Sequence, residues 1–250
     1  MMQIFTNEKP LTTVMIQTPE VDSAIKTIHC AIPAGAEAFG LQTCRLKPEY
    51  CNESVYRRIF AETGGRPVYV TNYRTGYNAN TSDEVLADGL MTLAKSGASL
   101  VDVMGDLFDR HPEELTVDQK AVDKQKKEID QIHETGSQVL MSSHVYHYIP
   151  AERVLEIAVA QQERGADVVK IVTGADSMEQ QIDNLRITAM LKKELKVPFL
   201  FLSTGLSRIH RMVGPSLGSC MYLCVYEHDE LSTKAQPLLS HVNAIRDILL

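Results

Sequence analysis

Lys170 lies in an apolar stretch and is the strongest candidate for a reactive side chain in the sequence. Residues 168–172 read VVKIV, so two apolar residues flank the lysine on each side. Burial disfavours the charged ammonium form, and arginines at neighbouring strand ends would act in the same direction. A neutral lysine amine attacks a ketone or aldehyde and forms a Schiff base. The alternative is a structural lysine that reaches solvent or pairs with a carboxylate.

His144 is the second candidate, because it closes the apolar segment that precedes the lysine segment. Residues 141–144 read MSSH. Adjacent strands of a sheet lie about 4.8 Å apart, so His144 and Lys170 would face one substrate if their strands were neighbours. Histidine is the usual proton carrier near neutral pH. Alone, His144 would be interpreted as a structural histidine; beside a buried lysine, both interpretations stay open.

Three arginines follow apolar segments at comparable positions. They are Arg45, Arg74 and Arg211. Thr43 lies two residues before Arg45, and residues two apart share one face of a strand. Three arginines that converge in a chain of net charge −7 indicate a small anionic ligand, either a carboxylate or a phosphate. For each arginine singly, an ordinary surface salt bridge is the alternative.

The elements that must position these residues alternate between strand and helix. Helical stretches repeatedly end in glycine, which accepts the left-handed conformation that stops a helix, and apolar runs typical of strands buried on both faces follow. Strands are predicted at 12–17, 37–43, 67–72, 99–104, 137–142, 167–172, 198–203 and 219–224. Helices are predicted at 21–29, 53–63, 82–96, 116–134, 151–164, 178–195, 207–213 and 234–249.

This alternation predicts a parallel sheet of the α/β class, and eight repeats predict closure into a (β/α)8 TIM barrel with one domain over residues 1–250. Side chains that act chemically lie at the carboxyl ends of the strands of such a barrel. An open doubly wound sheet is the alternative. The segment IQTPEVDSA after the first strand lacks the glycine-rich phosphate turn of that fold.

Composition restricts the classes of protein that are compatible with the chain. Its 250 residues are 44% hydrophobic and 23% charged, which is typical of globular proteins and excludes disorder. The net charge of −7 argues against nucleic-acid binding. No segment is predicted to span a membrane or to act as a signal peptide. The five cysteines form no CxxC pair, and HExxH or HxH spacing is absent, so we expect a cytoplasmic protein with reduced thiols and neither metal nor other cofactor.

These motifs together resemble the type I 3-dehydroquinate dehydratases, enzymes of the shikimate pathway. The family's histidine motif corresponds to residues 141–144 and its lysine strand to residues 169–171. Its strand-3 arginine corresponds to the end of PVYVTNYR, residues 67–74. Arg211, seven residues before Gly218, and STKAQ at 232–236 correspond to its closing loops. The correspondence runs over nearly the whole chain in the same order.

The resemblance implies a metal-free lyase that is often a homodimer and that dehydrates 3-dehydroquinate, a small anionic keto acid, to 3-dehydroshikimate. Lys170 would form an imine with the ring ketone. His144 would remove the proton next to the iminium carbon and then protonate the departing hydroxyl. The iminium stabilises the developing enamine, which lowers the barrier specifically in the transition state.

The resemblance also implies binding roles. Arg211, Ser232 and Gln236 would hold the carboxylate of the substrate. Arg45 and Arg74 would face its ring hydroxyls. Arg45 and Arg74 lie two residues beyond predicted strands, whereas Arg211, Ser232 and Gln236 lie in the segments that follow the seventh and eighth predicted strands.

Three positions depart from the family pattern. Thr43 and Asn78 stand where glutamates are usual, and Met104 stands where the fourth strand often carries Asp-x-Glu. The glutamate at the position of Asn78 orients the histidine in the family, so its loss should weaken the histidine as a base. Two alternatives therefore stay open. One is a related Schiff-base lyase or aldolase for another hydroxy-keto acid, and the other is a non-catalytic protein that binds an anionic metabolite.

Overall fold

A computed structural model of the chain describes residues 4–249, which form strands and helices in strict alternation. The strands are β1 (Leu11–Ile16), β2 (Ala38–Gln42), β3 (Val68–Thr71), β4 (Leu100–Met104), β5 (Gln138–His144), β6 (Val168–Ala175), β7 (Phe199–Gly205) and β8 (Met221–Cys224). The helices are α1 (Val21–Ala31), α2 (Glu53–Ala61), α3 (Asp83–Lys95), α4 (Gln119–Glu134), α5 (Ala151–Glu163), α6 (Met178–Glu194), α7 (Arg208–Val213) and α8 (Leu239–Leu249).

The strands form one parallel sheet in the order β7-β6-β5-β4-β3-β2-β1-β8. The two ends of this order meet at β7 and β8, where Cys220 donates its backbone N–H to Phe199 O at 2.8 Å. The Phe201 N–H also donates to Ser219 Oγ at 3.0 Å. The sheet is therefore a nearly closed barrel, and the predicted (β/α)8 architecture is confirmed. Of the predicted domain range, residues 1–3 and 250 lie outside the described residues.

The local signals that start and stop helices act as the sequence indicates. Ser82 caps α3 by accepting the Val85 N–H, and the glycines that follow α3 and α5 adopt left-handed conformations (Gly97 φ 100°, Gly165 φ 102°). Two predicted starts are wrong. The helix predicted from 116 begins at Gln119, because Asp118 is its cap. The helix predicted from 234 begins at Leu239, because Pro237 disfavours helix in the residue before it.

Side chains along β6 alternate between the barrel interior and the helices outside. Val168 and Val172 pack inside with the other inward residues, whereas Val169 and Ile171 pack against the surrounding helices. Because strand side chains alternate with period two, Lys170 points into the barrel. His144 pairs with Val172 and Ser142 pairs with Lys170 across β5 and β6, so the end of β5 faces the same interior.

Two further properties concern the chain as a whole. Its five cysteines are free thiols. Among residues 4–249, no helix combines the length and the apolar character that crossing a membrane requires.

Candidate active site

The amine of Lys170 lies at the centre of the site, and the side chain is buried (4% exposed). Its Nζ atom lies 3.1 Å from Asp102 Oδ2, 2.9 Å from the Tyr69 hydroxyl and 2.5 Å from the Tyr73 hydroxyl. The predicted burial of this amine is therefore what the structure shows. Its charged neighbour is a carboxylate, however, and not one of the arginines that the sequence suggested.

Asp102 is the buried anion of the site. Ser142 donates to its Oδ1 atom at 2.5 Å, and the hydroxyls of Tyr69 and Tyr73 donate to Oδ2. Burial acts to raise the pKa of Asp102, but the positive charge of Lys170, the proximity of His144 and the hydrogen bonds from Ser142 and Tyr69 outweigh it and lower the pKa overall. Asp102 is therefore an ionised carboxylate at neutral pH.

The two tyrosines hold their protons firmly. Burial raises the pKa of both phenols well above the ordinary value, and the adjacent charge of Asp102 raises it further. Tyr69 is fully buried, whereas Tyr73 is partly exposed at the cavity wall. The Tyr73 ring also meets the His144 ring edge-on, with 5.0 Å between the centroids. Tyr73 thus contacts both residues to which the sequence assigns chemistry.

Glu114 fixes the orientation of His144. Its Oε2 atom lies 2.7 Å from His144 Nδ1 and accepts the His144 backbone N–H at 3.0 Å. Because an ionised carboxylate only accepts hydrogen bonds, Nδ1 carries the hydrogen in the neutral ring. Nε2 is then the nitrogen that is free to accept a proton from a ligand.

The loop between β4 and α4 holds Glu114 in place. Glu114 has a left-handed backbone (φ 45°), which costs a non-glycine residue about 1–2 kcal/mol, so surrounding contacts must impose it. Ser143 donates to the Glu114 carbonyl at 2.7 Å. Buried Arg164 donates to the carbonyls of Gly105 and Thr116 in the same loop. Burial lowers the pKa of Arg164.

Arg45, Arg211 and Gln236 supply polar groups that the rest of the described chain does not satisfy. Arg211 and Gln236 are each 7% exposed. Arg211 donates Nε–H to Ser203 O at 2.7 Å, and burial lowers its pKa to about 10, so it stays charged at neutral pH. Arg45 Nε and Gln236 Oε1 are buried without a hydrogen-bond partner. All three residues line a cavity of about 280 Å³ together with Lys170 and His144.

Arg74 also lies at the cavity wall, but carboxylates hold its guanidinium. It donates to both carboxylate oxygens of Asp83 at 2.7 Å and to Asp106 through the side chain at 2.6 Å and the carbonyl at 2.9 Å. Burial acts to lower the pKa of Arg74, and the two carboxylates reverse that effect and raise it. Four of its five N–H groups are therefore occupied, which leaves little capacity for the predicted contact with ring hydroxyls.

Thr43, Asn78 and Ser232 do not line this cavity. The prediction that Thr43 and Arg45 share one strand face is wrong, because β2 ends at Gln42 and residues Thr43–Arg45 form a 3-10 helix. The Thr43 hydroxyl lies 2.8 Å from Asn72 Oδ1, which also accepts from Asn78 Nδ2 at 2.7 Å.

Ser232 lies outside the cavity for a different reason. Its hydroxyl belongs to a turn in the loop before α8. It donates to the Asp229 carbonyl at 3.0 Å and accepts the Asp229 N–H at 2.9 Å. The turn thus uses the hydroxyl that the resemblance assigned to the substrate carboxylate.

Apolar side chains also line the cavity, namely those of Met15, Met104, Val172, Leu202 and Leu223, together with the polar side chains of Gln42, Thr71, Thr75, Thr204 and Thr233. The cavity therefore combines positive charge and hydrogen-bonding groups with apolar surface. Within residues 4–249, no group of three or more His, Cys, Asp or Glu side chains has the arrangement of a metal site. This combination suits a small anion with a reactive carbonyl.

Sequence reasoning missed three residues of the site: Glu114, Tyr69 and Tyr73. Both tyrosines stand inside the segment PVYVTNYR that the arginine motif already marked. The pattern of the third strand could have predicted that Tyr69 points into the barrel. Glu114 carries no such signal, since it lies ten positions beyond the end of β4 in an irregular loop.

The fold and the site define a (β/α)8 barrel protein with a buried lysine at its centre, a carboxylate-oriented histidine beside it and arginines at its mouth. The model of the type I 3-dehydroquinase family matches residues 14–249. The chain therefore belongs to that family, as the sequence motifs predicted.

Individual relatives are distant in sequence. The 3-dehydroquinate dehydratase of Syntrophotalea carbinolica is 29% identical over 175 residues, which are 68% of this chain and 64% of that protein. That of Clostridium kluyveri is 30% identical over 99 residues, and the match spans only 39% of its length.

Solved structures extend the likeness to the whole fold. The 3-dehydroquinate dehydratase of Geobacillus kaustophilus superposes with a TM-score of 0.82 at 16% identity, covering 96% of this chain and 91% of the other. The type I enzyme of Clostridium difficile, solved with covalently modified comenic acid, gives 0.80 at 18% identity, covering 96% and 92%.

Proposed function

We propose that the protein dehydrates 3-dehydroquinate to 3-dehydroshikimate through an imine between Lys170 and the ring ketone. The observation that carries this proposal is the position of Lys170 Nζ. It is buried beside Asp102 at the base of a cavity that also holds His144 and three polar groups suited to a carboxylate. Family membership supports the same reaction.

In this reaction the ammonium of Lys170 first loses a proton, and the free amine attacks the ketone carbon. Loss of water gives an iminium ion, which draws electrons from the neighbouring carbon. His144 Nε2 then removes a proton from that carbon. Because Glu114 holds Nδ1–H, it stabilises the imidazolium that forms. The imidazolium protonates the departing hydroxyl, and hydrolysis of the imine releases the product and Lys170.

Binding of the substrate carboxylate falls to Arg211, Gln236 and Arg45 in this proposal. Arg211 is held by Ser203 O through Nε alone, so its terminal N–H groups remain for a bidentate contact with a carboxylate. Burial strengthens such contacts because the local dielectric constant is low. Thr43, Asn78 and Ser232 have no direct role, since none of them lines the cavity.

A second candidate is the same imine chemistry on a different hydroxy-keto acid. Met104 contributes an apolar group to the cavity where the family often has a glutamate. Arg74 is held by Asp83 and Asp106. Both features reduce the number of partners for ring hydroxyls, which favours a substrate with fewer of them. A purely binding protein is less favoured, because anion binding alone does not require a buried lysine beside an oriented histidine.

An ultraviolet assay for the conjugated enone product tests the proposal directly. The unmodified protein should convert 3-dehydroquinate, and K170A should lose conversion completely. K120A is a matched control, since Lys120 lies exposed at the start of α4. If K170A turns over like the unmodified protein, both imine hypotheses are contradicted. Conversion of another hydroxy-keto acid alone would favour the second candidate.

The resemblance also implies a cytoplasmic homodimer, which we include in the proposal. Light scattering after size-exclusion chromatography measures the oligomeric state. A mass near twice 27.9 kDa is the expected result, and a mass equal to one chain would contradict it.

A further inference from the structure

We propose that Tyr73 is a catalytic proton carrier in imine formation, which takes a proton from Lys170 to Asp102 and returns it to the hydroxyl that leaves as water. This inference rests on the proposed Schiff-base function. It adds Tyr73 and Asp102 to the lysine and the histidine as residues that exchange protons in the site.

The three groups form an unbroken chain of hydrogen bonds. Lys170 Nζ donates to the Tyr73 hydroxyl at 2.5 Å, and this hydroxyl donates to Asp102 Oδ2. The Tyr73 hydroxyl therefore accepts a hydrogen bond on one side and donates one on the other. A proton enters the phenol from the amine while the phenol's own proton moves to the carboxylate.

Imine formation needs such a carrier, because an ammonium group must lose a proton before its nitrogen can attack a carbonyl. An ammonium group has three N–H donors, and three acceptors surround it, namely Asp102 Oδ2 and the hydroxyls of Tyr69 and Tyr73. An amine that keeps all three N–H bonds and its positive charge has no lone pair with which to attack a carbonyl. Asp102 is the carboxylate that receives the proton, and the hydrogen bonds through Tyr73 are shorter than the direct contact of 3.1 Å between Nζ and Asp102 Oδ2.

Asp102 alone does not return the proton to the hydroxyl that leaves as water. Its side chain is 0% exposed and does not line the cavity. Tyr69 lines the cavity but is also 0% exposed. Tyr73 is partly exposed at the cavity wall. It also adjoins the His144 ring, 5.0 Å between centroids. Tyr73 therefore links the buried carboxylate to the reacting atoms.

The proposed sequence balances in atoms and charge. The ammonium gives one proton through Tyr73 to Asp102, and the amine forms the new N–C bond with the ketone carbon. A proton moves from this nitrogen to the former carbonyl oxygen, which gives a neutral carbinolamine. Asp102 returns its proton through Tyr73 to the carbinolamine hydroxyl, the C–O bond breaks, and water leaves. The net change converts ammonium and ketone into iminium and water.

Tyr73 acts in this scheme without becoming a standing phenolate. Burial and the charge of Asp102 raise the pKa of its phenol well above the ordinary value. The two proton movements must therefore occur together, and the hydroxyl is neutral before and after each passage. The hydrogen-bond chain described above is the arrangement that such a concerted transfer requires.

Single-turnover trapping tests the inference. Unmodified protein, Y73F and the matched control Y69F are mixed with 3-dehydroquinate or with pyruvate as a simple keto-acid probe. Borohydride stops the reaction at set times, and mass spectrometry measures the adduct on Lys170. Both variants remove one phenol that contacts Nζ and Asp102 and lines the cavity, but only Tyr73 is partly exposed there and adjoins the His144 ring.

We expect Y73F to form the imine about 10²–10⁴-fold more slowly, the range of general acid–base catalysis, and Y69F to fall by less than tenfold. Thermal unfolding confirms that both variants fold. Trapping by Y73F within threefold of the unmodified rate, or equal losses in Y73F and Y69F, overturns the relay alone. If neither probe gives an adduct on Lys170 of the unmodified protein, the proposed function fails and the relay fails with it.

Discussion

Replacing Glu114 with glutamine isolates the contribution of one negative charge to the histidine. The carboxylate lies 2.7 Å from His144 Nδ1, and the amide oxygen of E114Q can keep the hydrogen bond from the His144 backbone N–H. The substitution therefore changes the charge and leaves the shape of the loop. The bond to the ring loses its ionic component, so the imidazolium that forms during elimination is less stable.

The size of this loss follows from the geometry. Hydrogen bonds to charged groups contribute about 1.5–3 kcal/mol. The Glu114 side chain is 26% exposed, so solvent screening places it near the lower end, at about 1.5–2 kcal/mol. Because about 1.4 kcal/mol corresponds to a factor of ten, kcat should fall about 10- to 30-fold.

The assay separates the two chemical stages. E114Q should slow enone formation and leave borohydride trapping of the first imine nearly unchanged, because Glu114 contacts the histidine and not the lysine. E113Q is the control, since Glu113 is paired with Arg153 outside the cavity. An E114Q variant with unmodified kcat would refute the assignment of an orienting role to Glu114. An equal loss in E113Q would attribute the effect to the loop as a whole.

Three further outcomes are expected. K170R should be inactive in the enone assay although charge is kept, because a guanidinium stays protonated and does not add to a ketone; measurable turnover would contradict the imine. N78E should not raise kcat, because Glu114 already orients the histidine and position 78 faces Asn72 Oδ1; a clear gain would show that the family's glutamate position still controls the base. Burial, with a smaller contribution from the adjacent Arg211 charge, lowers the pKa of His210 to about 3. The unfolded chain then binds more protons below about pH 6.5, so the free energy of unfolding should fall by up to about 1.4 kcal/mol per pH unit from there toward pH 3. Urea titrations at several pH values should show that the free energy of unfolding of H210N depends less steeply on pH than that of the unmodified protein. An identical dependence on pH in the two proteins would exclude this histidine as the cause.

The barrel and its lysine were predictable because both follow from periodic patterns. Continuous apolar runs after glycine stops indicate buried parallel strands. A single charged residue in the middle of such a run must point either into the barrel or toward the helices, and the packing of Val168 and Val172 inside the barrel assigns Lys170 to the interior. The same period placed His144 beside it once β5 and β6 were neighbours.

The partners of the site residues were not predictable, because they depend on the course of irregular segments between the strands and helices. Thr43 was assigned to a strand face, but the chain leaves the strand one residue earlier. Arg74 was assigned to a ligand, but Asp83 and Asp106 come from two other segments to neutralise it. The histidine's carboxylate comes from Glu114, whose left-handed backbone and loop contacts no sequence period encodes.

The identity of the residue that bonds to the substrate is the measurement that tests the central claim most directly. The protein is incubated with 3-dehydroquinate, reduced with borohydride, digested and analysed by mass spectrometry. The proposed mechanism predicts a stable adduct on the peptide that contains Lys170 and none on the peptide that contains exposed Lys120. Turnover without any adduct on Lys170, or an adduct on another lysine that persists in K170A, would contradict it.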